Sequence, residues 1–257
     1  MFEPINDQEE TTFEFDSSKI ISALVKEGKV NDTEIDRATC LKYLGFVCIE
    51  TGRFFEAEST FKDALRIYRS IPDTGIDQAK CTTGMGITYR ETGRFHEAES
   101  ACEVALRVFR SIPGTELQQA ACISNLGAVY LKTERLYEAE NANEDALRIY
   151  RTIPGTGLDQ ANCEMNLGII YERTGRFHEA ENANKDALKI YRSIPGTQLE
   201  RAKCLANMSS HYRNRGQISK ARLCAEEALK VCNSFSPEAT AHIRFICHQV
   251  LKGAGVA

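Results

Sequence analysis

The strongest constraint on this chain is a period. The phrase Thr51-Gly52-Arg53-Phe54 returns 41 residues later as Thr92-Gly93-Arg94-Phe95, then as Thr133-Glu134-Arg135-Leu136 and Thr174-Gly175-Arg176-Phe177. A worn copy closes the series at Arg215-Gly216-Gln217-Ile218. Glu56-Ala57-Glu58 and Ala64-Leu65 recur in the same register, the second of them as far as Ala228-Leu229. No insertion breaks the spacing. All units must therefore share one geometry and bury their apolar surface against their neighbours.

Each unit reads as two helices. Asp159 to Arg173 sets Ala161, Met165, Leu167, Ile170 and Tyr171 at helical spacing. Gly175 lets the chain turn, and Arg176 to Ile194 follows with Phe177, Ala180, Ala187, Leu188 and Tyr191 on one face. Ile194-Pro195-Gly196-Thr197 stops that helix, and the same Ile-Pro-x-Thr stop stands at Ile71, Ile112 and Ile153. Small residues at Gly45, Gly86, Gly127 and Gly168 predict close helix approach.

The frame predicts an acidic leader over 1–10, a half-repeat helix over 11–35, five repeats over 36–235, and a capping helix and tail over 236–257. In the half repeat, Phe13 and Ala23-Leu24 fall on Phe54 and Ala64-Leu65. In the cap, Arg244, His248 and Lys252 are expected to face water. The acidic start of the chain, with Glu3, Asp7, Glu9, Glu10, Glu14 and Asp16, is a candidate internal competitor for a basic groove.

Composition narrows the function. A net charge of −4 gives no electrostatic ground for nucleic-acid binding, which asks for a basic face. No apolar run reaches the roughly 18–20 residues of a membrane-spanning helix, and the start lacks the basic-then-apolar order of a secretory signal. Five of the ten cysteines (Cys40, Cys81, Cys122, Cys163, Cys204) follow the 41-residue period, which reads as buried packing in a reduced, cytoplasmic protein. The histidines at 96, 178, 211, 242 and 248 form no metal-ligand spacing. No phosphate loop or nucleophile-base pair is left once the repeat positions are assigned. The chain is expected to be no enzyme and to need no cofactor.

The pattern Leu126-Gly127-x-x-Tyr130 with Ala139 and Ala146, and Leu167-Gly168-x-x-Tyr171 with Ala180 and Ala187, resembles the tetratricopeptide repeat. The long unit and the phrases Tyr137-Glu138-Ala139-Glu140 and Ala146-Leu147-Arg148-Ile149 are similar to the repeats of kinesin light chains. The cortical polarity adaptors that bind short regulatory peptides are a second candidate relative. The resemblance implies an all-α, right-handed α-solenoid of about five helix-turn-helix repeats. It also departs from the family. The first-helix aromatic is replaced by Leu41, Thr82, Ile123, Glu164 and Leu205, and the second-helix aromatic survives as Phe61 but becomes Cys102, Asn143, Asn184 and Ala225.

In such proteins the first helices line a concave groove that takes a peptide. Numbering Ala38, Ala79, Ala120, Ala161 and Ala202 as place one, the groove places are 2, 5, 6, 9, 12 and 13. They hold Lys42, Lys80, Arg90, Lys132, Arg173, Lys203 and Arg213 against Glu50, Glu91 and Glu172, a net of +4. Such a groove prefers an acidic peptide or a free carboxylate; the competing reading is solvated charge with no ligand. Asn125, Asn166 and Asn207 form a ladder at place 6 whose amides suit a peptide backbone; the competing reading is hydrogen bonding between helices. Gly84 and Ala121 stand where a chaperone-tail clamp would want Asn and Lys, which argues against that ligand. The arginine stripe on the second helices is expected to be a solvated face with pairs Asp63–Arg66, Glu103–Arg107 and Glu144–Arg148.

The function implied is a non-catalytic scaffold that holds a peptide segment of a client protein, without nucleic acid or membrane insertion. The alternative is self-assembly through the solenoid ends or convex face, served by Phe13, Phe15 or Phe245. An oligomer is neither required nor excluded.

Overall fold

The computed structural model describes residues 33–253, with the isolated positions Ser22 and Lys26. The acidic leader and the half-repeat helix, with Phe13 and Phe15, lie outside the described residues. Those described are helical throughout, joined by short turns and with no strand among them. They fall into two compact units that meet at Thr92 and Gly93.

The first unit holds α1 (Glu34–Glu50), α2 (Phe54–Tyr68) and α3 (Gly75–Glu91). The second holds α4 (Phe95–Arg110), α5 (Glu116–Lys132), α6 (Leu136–Tyr150), α7 (Gly157–Arg173), α8 (Phe177–Ser193), α9 (Gln198–Asn214), α10 (Ile218–Cys232) and α11 (Pro237–Gly253). Odd-numbered helices up to α9 are the first helices of their repeats. Pro237 opens α11, where its missing N–H and fixed φ cost nothing.

The repeated phrases have separate structural tasks. Thr-Gly-Arg ends each first helix. Gly175 stands at φ 77°, the Gly175 N–H donates to the Glu172 carbonyl, and the Arg176 N–H reaches back to Tyr171 at 2.8 Å. That double closure satisfies carbonyls which a helix end would otherwise leave open. Glu134 replaces the glycine in one turn and still adopts φ 60°.

The arginine of the phrase then ties second helices together. Arg176 donates to Glu179 in its own first turn and, at 2.5 Å, to Glu140 of the preceding repeat, while its guanidinium lies 4.2 Å from the Tyr171 ring. Arg135 repeats the arrangement with Glu138, Glu99 and Tyr130. The Glu-Ala-Glu phrase thus supplies one carboxylate for the local arginine and one for the next repeat. In the last repeat Gln217 replaces the arginine, and Glu181 instead takes the Tyr212 hydroxyl at 3.0 Å.

The threonine of Ile-Pro-x-Thr precedes each first helix but makes no side-chain cap there. It faces backwards. The hydroxyls of Thr74, Thr115, Thr156 and Thr197 donate to the carbonyls of Tyr68, Phe109, Tyr150 and Tyr191 at 2.5–2.7 Å. In three of these linkers a glutamine adds a second tie: Gln78, Gln119 and Gln160 donate to that same carbonyl and to the threonine oxygen.

The departures from the aromatic pattern are resolved by side-chain size. Phe61 is fully buried between Gly45 and Gly84, each so near that a Cβ would lie within 2.6 and 2.3 Å of its ring. Asn143 and Asn184 take the same position in later repeats, and each donates its amide at 2.8 Å to the carbonyl four residues back. Glu164 is buried and bonded at 2.8 Å to Arg151. Burial raises its pKa, and the arginine only partly offsets that.

Two expectations are corrected. Arg148 pairs with Asp145 at 2.7 Å, three residues away, while Glu144 accepts the Tyr171 hydroxyl. Arg244 is half-buried and donates at 2.8 Å to the Cys232 carbonyl, closing α10, whereas His248 and Lys252 face water. The expected Asp63–Arg66 pair is formed at 3.3 Å.

Candidate functional site

The expected groove is a face of the first helices, and its floor is decided from beneath. A residue at place 6 meets the second-helix residue 23 positions earlier. In the first unit that pair is Gly84 over Phe61, and nothing larger than glycine fits. In the second it is Asn166 over Asn143, and the Asn166 amide donates to Asn143 Oδ1 at 3.1 Å. The next pair is Asn207 and Asn184. Asn184 Oδ1 is buried without a hydrogen-bond partner, and no bond joins it to Asn207. Asn125 donates to its own helix at the Ala121 carbonyl, 2.9 Å away.

All three ladder asparagines are partly exposed. Of the residues beneath them, Asn143 and Asn184 were visible in the sequence only as lost aromatics. The signal that finds them is a pairing within this one chain: glycine at place 6 over phenylalanine, and asparagine over asparagine in two later repeats, with Asn125 over Cys102 outside the rule.

The charged candidates separate into committed and free. Lys42 is buried, bonded to Asp77 at 2.6 Å, with its ammonium 5.7 Å from the Tyr68 ring. Burial opposes its charge, yet the bonds to Asp77 and Tyr68 prevail and its pKa is raised. It is therefore a packing residue and does not face a groove. Arg90 bonds Glu91 at 2.7 Å. Arg173 reaches Glu134 at 2.6 Å and the Leu131 carbonyl at 3.4 Å, both on the preceding repeat. Glu172 is taken by His211 at 2.5 Å and Asn214 at 3.1 Å.

What is left differs from the formal count. Among the described residues, Lys80 in the first unit has no carboxylate partner, nor have Lys132, Lys203 and Arg213 in the second. On the second unit's first-helix face, the one acidic groove residue is thus occupied while three cations are not.

The thiols lie in the packing. Cys81, Cys122, Cys163 and Cys204 are buried, and no disulfide joins the cysteines among the described residues. Burial pushes Cys81 and Cys204 up to about 12 and Cys163 up to about 11. Among the described residues no three or more His, Cys, Asp or Glu gather as metal ligands, and no helix is long and apolar enough to cross a membrane.

Stacked helix pairs of this kind define an all-α repeat solenoid. The sequence profile described as "Tetratricopeptide repeat" matches residues 36–111, 118–193 and 159–234, and the chain belongs to that family. Among solved structures it is similar to BtubC (BKLC) from P. vanneervenii, at 21% identity over 86% of this chain and 90% of that one, TM-score 0.66. A Rap protein complexed with competence and sporulation factor shares 15% identity over 93% of this chain and 69% of that one, TM-score 0.75. NprR in complex with its cognate peptide NprX gives 16%, 93%, 69% and 0.69 in the same order. At these identities the likeness establishes the fold alone. A search of curated proteins found no match.

Proposed function

We propose that the chain is a non-catalytic adaptor that holds an acidic peptide segment of a client protein against the first-helix face of its second unit. The observation that carries this reading is the asymmetry of charge there: Lys132, Lys203 and Arg213 lack carboxylate partners among the described residues, beside a neutral floor of Asn125, Asn166 and Asn207. Amides bind a backbone whatever its side chains, and the cations select for acidic ones. That one fold neighbour, NprR, was solved in complex with its cognate peptide supports the class of ligand without naming it. Lys80 and Arg90 would extend the same preference in the first unit, and Arg173 would add to it if freed from Glu134.

The test is a salt titration with fluorescent acidic peptides. Affinity should fall as salt rises from about 50 to 200 mM, because exposed charges are screened over roughly 8–10 Å. Binding that is indifferent to salt, or equal for basic peptides, contradicts the proposal. Self-assembly keeps one supporting observation, the 61% exposure of Phe245 on α11. Concentration-independent monomeric scattering would exclude it.

A further inference from the structure

The linker glutamine is replaced once among the later repeats, and the replacement opens a site. Gln78, Gln119 and Gln160 each tie their linker to a carbonyl in the last turn of the preceding helix. The next member of the series is Arg201. Its side chain is too long for that tie, and Thr197 holds the Tyr191 carbonyl alone at 2.5 Å. Arg201 Nε is buried without a hydrogen-bond partner, a state that a charged donor does not hold cheaply.

The guanidinium lines a cleft of about 620 Å³ between the start of α9 and the end of α10, shared with Gln198, Glu227, Lys230 and Phe235. That volume falls within the usual range for small-ligand pockets. Lys230 also has no ion-pair partner among the described residues. Glu227, the acidic member, is held by Arg192 through two bonds of 2.9 and 3.2 Å. Two cations and one anion therefore line the cleft; the anion is paired with Arg192, and neither lining cation has an ion-pair partner among the described residues.

We infer that this cleft is a binding site for a phosphate monoester. The Arg201 guanidinium and the Lys230 ammonium both line the cleft and offer an oxyanion two cationic donors from one side. With Glu227 neutralised by Arg192, the two lining cations match the charge of a phosphate dianion. Gln198 is placed to donate its amide, and Phe235 gives the organic part of the ester an apolar wall.

The experiment is thermal unfolding of the full chain at constant ionic strength, with chloride replaced by inorganic phosphate, O-phosphoserine or glycerol 3-phosphate. A ligand that binds only the folded state raises the melting temperature with concentration. Phosphate should stabilise the wild type, and the larger response between the two esters identifies a phosphorylated side chain or a small metabolite as the source. Arg201→Gln installs the residue that three other repeats carry, so it should fold and melt at or above the wild-type temperature while losing the phosphate response at least tenfold in apparent affinity. Lys230→Gln should weaken the response in the same direction. A wild type that ignores all three phosphates, or an Arg201→Gln variant that keeps the response, overturns the assignment.

Discussion

Gly84→Ala is the sharpest probe of how the repeats are fitted together. The added Cβ would stand 2.3 Å from Phe61 Cζ and 2.7 Å from both Cε atoms, where carbon contacts settle near 3.5–4.0 Å. The ring would have to retreat by more than 1 Å on that estimate. Its opposite side is already closed: a Cβ at Gly45 would stand 2.6 Å from the same ring, and Phe46 packs edge-on with centroids 5.1 Å apart. Overpacking of this kind costs about 1–3 kcal/mol, and the missing escape route puts this site at the upper end. Alanine returns up to about 1 kcal/mol of helix propensity. The net loss is then about 2 kcal/mol, or roughly 4–8 °C in melting temperature for a chain of this size. Guanidinium and thermal unfolding followed by helical circular dichroism read both quantities. In a Phe61→Cys background, which copies residue 102, the clash disappears and the same substitution should stabilise by up to about 1 kcal/mol. A wild-type Gly84→Ala that melts unchanged, or an equal cost in both backgrounds, refutes the pairing of place 6 with the residue beneath it.

Three further outcomes follow from single sites. Glu164→Leu, which copies Leu41 and Leu205, should stabilise by about 1–2 kcal/mol in denaturant unfolding, because it removes a buried carboxylate and leaves only exposed Arg151 behind. Stability should fall as pH rises from about 9 toward 12: the unfolded thiols ionise near 9, while Cys81 and Cys204 stay protonated to about 12 when folded, so their contribution is full below pH 9 and fades above it. Native protein should accordingly resist thiol alkylation at pH 8 at these positions and react fully in denaturant. Glu134→Gly should relieve the left-handed backbone at φ 60° and release Arg173, tightening acidic-peptide affinity about two- to fivefold as an order-of-magnitude expectation for one exposed charge.

The fold was legible because its information is local and repeated. Each 41-residue phrase specifies a helix pair, a turn and a stop, and five copies agree on the frame. What the phrases do is less visible, since their partners lie one repeat away. Arg176 reads as a turn residue until Glu140 is found 36 residues behind it. The first-helix face was legible in the sequence, but its charge was not. Counting ionised residues cannot tell that Lys42 is consumed by Asp77 35 residues on, or that His211 and Asn214 reach across to Glu172. The ladder misleads for a related reason: Asn166 looks like a ligand contact, yet it also satisfies a buried Asn143. Replacing it with alanine would strand that oxygen at a cost of about 1–3 kcal/mol. Loss of client binding in such a variant would not by itself locate the client.

The most direct test of the central claim therefore uses charge and spares the floor. A Lys132→Glu/Lys203→Glu/Arg213→Glu variant changes three first-helix side chains that have no carboxylate partner among the described residues. Arg66→Glu/Arg107→Glu/Arg148→Glu makes the same change in net charge on the second helices. Binding of one fluorescent acidic peptide to both, beside wild type and at fixed salt, separates a groove from a general attraction. The account predicts at least a tenfold loss in the first variant and less than a twofold change in the second, with both retaining wild-type helicity. Equal losses in the two variants, or an unaffected first variant, would contradict it.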